Sequence, residues 1–194
     1  EIFETSAENK ELILDLEKLQ NWSYESLDND LLKESFVSAQ KVSIEAKKKE
    51  AYRIVQLVTG TATTTAGINP IPLSDALLIA PQQIVMCMRI AHIFKFDAMG
   101  EGVTALLKQQ VISLVGKQLA ASLTKFIPVV GNIINAGVAG TLTFALGATM
   151  IEIYSKAYIE YLDNGKLPDW TVVFSAGKFF EIFSKNKDEY QKTN

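Results

Sequence analysis

Two stretches without a charged side chain dominate the sequence: Ile54 to Ser74, 21 residues, and Phe126 to Ile151, 26 residues. Runs of that length must be withdrawn from water, either in a core where helices are apolar all round or in a bilayer. Both reach the length of a membrane-spanning helix. Lys47-Lys48-Lys49 and Arg53 stand just before the first run, the flank expected on the cytoplasmic side of a span. Small residues at helical spacing, Ala136 with Gly140 and Gly137 with Thr141, suit close helix approach in lipid or in a packed bundle. Against spanning, the first run holds Gly60, Gly67, a threonine-rich segment, Asn69 and two prolines; the second holds Pro128, Asn132 and Asn135. The balance leans to a hairpin buried in a soluble or peripheral helical core, with insertion as the competing reading. The basic cluster is then a solvated helix face or a contact surface.

Helical periodicity runs through the rest, punctuated by Gly and Pro. Leu12, Leu16 and Leu19 recur at helical spacing, with Ile13 widening the stripe. Asn21 to Asp30 is polar and turn-rich and reads as a linker over 23–30. A long helix is expected from Asp30 to Val58, its first half carrying Leu32, Phe36 and Val37. Asn69-Pro70-Ile71-Pro72 must break any helix, because proline lacks the donor and restricts its neighbour. Ser74 or Asp75 then caps a helix to Phe94 with a kink at Pro81. Asp75 as a cap competes with Asp75 as a contact for a partner or ion. A turn at Gly100 to Gly102 leads to a helix through Phe126. A long apolar helix follows from Asn132 to Leu162, then a short amphipathic one from Thr171 to Phe183, and a tail from Lys185 that frays. Ile2-Phe3 is the one plausible strand remnant.

The formal charge of −3 gives no global basic field, so nucleic acid is not an expected partner. One cysteine, Cys87, and one histidine, His92, leave no intrachain disulfide, no cysteine zinc site and little material for a nucleophile–base pair. Both read as core residues. The first ten residues hold three acids and do not make the basic start of a secretory leader.

Glu4-Thr5-Ser6-Ala7 resembles the last guanine-binding loop of Ras-like GTPases, which joins the final strand to the final helix. Thr5, Ser6 and Ala7 occupy the loop positions; Glu8 stands where that family usually has Lys. Phe36-Val37-Ser38-Ala39-Gln40-Lys41-Val42, Glu45-Ala46-Lys47-Lys48-Lys49, Asn69-Pro70-Ile71-Pro72-Leu73-Ser74-Asp75, Arg89-Ile90, Lys125-Phe126-Ile127-Pro128-Val129-Val130-Gly131 and Ala136-Gly137-Val138-Ala139-Gly140-Thr141 are similar, in order, to a YcjF-like helical domain of unknown function found on the C-terminal side of GTPase domains. The resemblance covers residues 31–162.

What the resemblance implies is an all-α bundle of five or six helices with an apolar hairpin over 31–194, preceded by a GTPase strand and helix over 1–22. No phosphate-binding loop of the form G-x-x-x-x-G-K-[ST] and no Asn-Lys-x-Asp motif occurs in the sequence, so the chain itself is not expected to hydrolyse GTP. It needs no cofactor of its own, while GTP or GDP belongs to the parent protein. The expected role is a non-catalytic arm, cytoplasmic and open to membrane association, whose partners are the GTPase domain and a membrane or protein reached through Lys47, Lys48, Lys49 and Arg53. The alternative is an autonomous membrane-inserting hairpin, anchor or pore-like.

Overall fold

The absence of hairpin signals in the sequence is matched by a structure, a computed structural model, that is helical wherever it is regular. It describes residues 3, 15–40, 43–68, 74–96, 104–113 and 131–193. Eight helical segments stand among these residues: α1 (Leu16–Glu25), α2 (Asp30–Ala39), α3 (Ile44–Ile68), α4 (Ser74–Ile93), α5 (104–113), α6 (Gly131–Asn164), α7 (Trp170–Val173) and α8 (Ala176–Thr193). They divide into two compact units, Glu1–Val42 and Ser43–Asn194.

In the first unit α1 runs through Glu25, so the polar stretch expected as a linker is mostly helix and only 26–29 connect it to α2. The carboxylate of Asp15 takes an ion pair from Lys18 at 2.7 Å. The Asn29 side chain caps α2 by accepting the Leu31 N–H at 2.8 Å. The strand expected at Ile2-Phe3 is not found. Phe3 is irregular, its ring packing against Trp22 with centroids 5.8 Å apart, and the described residues contain no strand that could pair with it. Ile2 lies outside the described residues.

The long helix expected from Asp30 to Val58 is two helices. Gln40 turns extended, at ψ 120°, and ends α2. Ser43 restarts the helix, its hydroxyl accepting the Ala46 N–H at 3.3 Å. From there α3 continues through the threonine-rich run to Ile68.

The second unit is built round α6, whose 34 residues span about 51 Å. Helix α3 lies antiparallel to it: Thr63 stands at Gly140, Val55 at Gly147 and Lys47 at Tyr158. A Cβ on Gly140 would lie 2.6 Å from the Thr63 hydroxyl, and one on Gly147 would strike both methyl groups of Val55. The two backbones therefore approach as closely as they do only because these positions lack a side chain. Helix α4 runs parallel to α6, with the Gln83 amide donating to the Thr143 hydroxyl at 3.0 Å inside the core and Phe94 edge-on to Tyr158 at 6.1 Å. Pro81 is accommodated inside α4. Helix α8 returns antiparallel to α6, Asn186 donating to Glu152 at 3.4 Å and Tyr190 stacking on Phe144 at 4.2 Å.

The short helix expected from Thr171 to Phe183 is replaced by two, and the tail is not frayed. Asp169 caps α7 by accepting the Thr171 N–H at 2.9 Å. Phe179, Phe183, Asn186 and Tyr190 follow at spacings that form one helix face, which holds α8 on α6 through most of its length. The expected turn at Gly100 to Gly102 and the Asn69-Pro70-Ile71-Pro72 break lie outside the described residues.

The two kinds of glycine in these helices should respond oppositely to alanine. Gly147→Ala forces a methyl into the stiff, branched Val55 and is expected to lower stability by about 1–3 kcal/mol. Gly60 faces open space, so Gly60→Ala should raise it by about 0.5–1 kcal/mol. Urea titrations of the two variants, with Val55→Ala added to the first as a rescue, check the pair.

Candidate functional site

The C-terminus of α4 is closed by a Schellman arrangement. The Phe96 N–H donates to the Ala91 carbonyl at 2.8 Å and the Lys95 N–H to the His92 carbonyl at 2.9 Å. Such an ending needs one left-handed residue, here Lys95 at φ 61° rather than a glycine. The next carbonyl, that of Ile93, accepts from Lys47 Nζ at 2.8 Å. A cation at this place also meets the negative end of the helix dipole. The ammonium lies 5.0 Å from the centre of the Tyr158 ring, a cation–π distance. Three helices thus meet at one amine: α3 supplies it, α4 its acceptor, α6 the ring.

Aromatic residues close the surroundings. Phe96 is edge-on to Trp170 at 5.1 Å and to Tyr158 at 6.2 Å, and packs on Tyr154 at 5.8 Å. Lys47 is fully buried. Burial, and then the nearby charge of Lys95, lower its pKa from the ordinary lysine value to about 8. A lysine of lowered pKa is the usual starting point for amine nucleophiles. Here the amine is buried and donates to a backbone carbonyl, the geometry of a helix cap.

The four cations expected as one contact patch are not brought together. Lys47 is internal. Lys48 is paired with Glu45 at 3.3 Å, and Lys49 is exposed. The Arg53 guanidinium donates to both oxygens of the buried Glu50 carboxylate, at 2.7 to 3.1 Å, a charge-assisted pair. Lys48 and Lys49 remain at the surface of the expected patch. Sequence reading missed the inward turn of Lys47, although Lys47, Ala51, Ile54 and Val58 share the spacing of one helix face.

Thr5, Ser6 and Ala7 lie outside the described residues. Ser74 and Asp75 open α4. Cys87 is buried, which pushes its thiol upward and away from reactivity. Among the described residues, no three His, Cys, Asp or Glu side chains gather as metal ligands, and no helix is long and apolar enough to cross a membrane.

The burial of Lys47 has a pH signature. Its folded pKa is below the unfolded value of 10.5, so between pH 8 and 10.5 the unfolded chain binds the extra proton and stability rises with pH. The penalty is fully present below pH 8. The stability of the native chain minus that of Lys47→Met should therefore increase from pH 7.5 to pH 10.5 by roughly 1–3 kcal/mol; a flat difference in paired urea titrations would contradict this. Lys95→Gly, which relieves the left-handed backbone and removes the neighbouring cation, should stabilise the fold by about 1 kcal/mol.

In comparisons with known proteins, no family model, no curated protein and no solved structure matches this chain.

Proposed function

We propose that this chain is the non-catalytic helical arm of a GTP-binding protein, which engages a membrane or a protein partner under control of the nucleotide state. The observation that carries this reading is the order of the sequence features. A Thr5-Ser6-Ala7 loop like that of Ras-like GTPases precedes one amphipathic helix, and the motifs of a GTPase-associated helical domain follow over residues 31–162. The all-helical fold of the described residues is the architecture such a domain requires, and Gly140, within the last of those motifs, is one of two glycines at which α3 packs closely on α6.

On this reading nucleotide exchange changes the setting of α1, and the change reaches the bundle where the chain enters α3. Ser43 and Lys47 stand there within one helical turn of each other. The parent protein supplies GTP or GDP, and this chain supplies the responding surface.

The test uses the parent protein loaded with GDP or with a non-hydrolysable GTP analogue. Vesicle flotation and partner capture should differ between the two states by about fivefold or more, the low end of ordinary coupling energies. Equal affinity in both states would remove the coupling from the proposal.

A further inference from the structure

We draw no further inference here: the strongest candidate, the apolar stripe that Val85 and Met88 expose along α4, carries none, because nothing in the structure shows what covers it.

Discussion

The close approach of α3 to α6 sets the geometry of the second unit. Two glycines on α6, seven residues apart, receive Thr63 and Val55 from the facing helix. A seven-residue repeat returns to nearly the same face of an α-helix, so the missing side chains form a shallow furrow along α6. Because α3 lies in that furrow, the rest of α6 is free to receive α4 and α8. The uncharged stretches that dominate the sequence are explained by this arrangement. Apart from Ser74, their described residues lie in α3 and α6, which pack face to face, and at Gly140 and Gly147 the small residue serves close approach.

The same packing explains why a lysine can sit inside an otherwise apolar corner. The end of α4 would leave a carbonyl facing the core, and a buried carbonyl without a donor is costly. Lys47 resolves that cost from another helix, while its own charge is eased by the Tyr158 ring and the helix dipole. The depressed pKa records that the compensation is incomplete. Lys95 adds to the strain twice, through its left-handed backbone and through its charge.

Helix α6 was legible almost to the residue, Asn132 to Leu162 expected against Gly131–Asn164 found, because glycine and proline bound a long apolar run. The break between α2 and α3 was not, since no Gly or Pro stands between Ala39 and Ile44; it comes from the backbone of Gln40 and the hydroxyl of Ser43. The tail was misjudged because its composition is polar, whereas its stability comes from four side chains spaced on one face. Lys47 was hidden among three consecutive lysines. Residue type argued for the surface, and only the helical phase, set by neighbours distant in sequence, turned one of the three inward.

The bond between Gln83 and Thr143 bears on how this bundle can move. It is a polar clasp across the α4–α6 interface, 3.0 Å long and sealed from water. Sliding α4 along α6 by one turn, about 5.4 Å, would separate its partners inside the core and leave each without a substitute, a loss of several kcal/mol. A graded slippage of the two helices is therefore closed to this fold. If α4 responds to a signal, it does so as a ratchet with discrete stops: held in register with α6, or lifted from it as a whole.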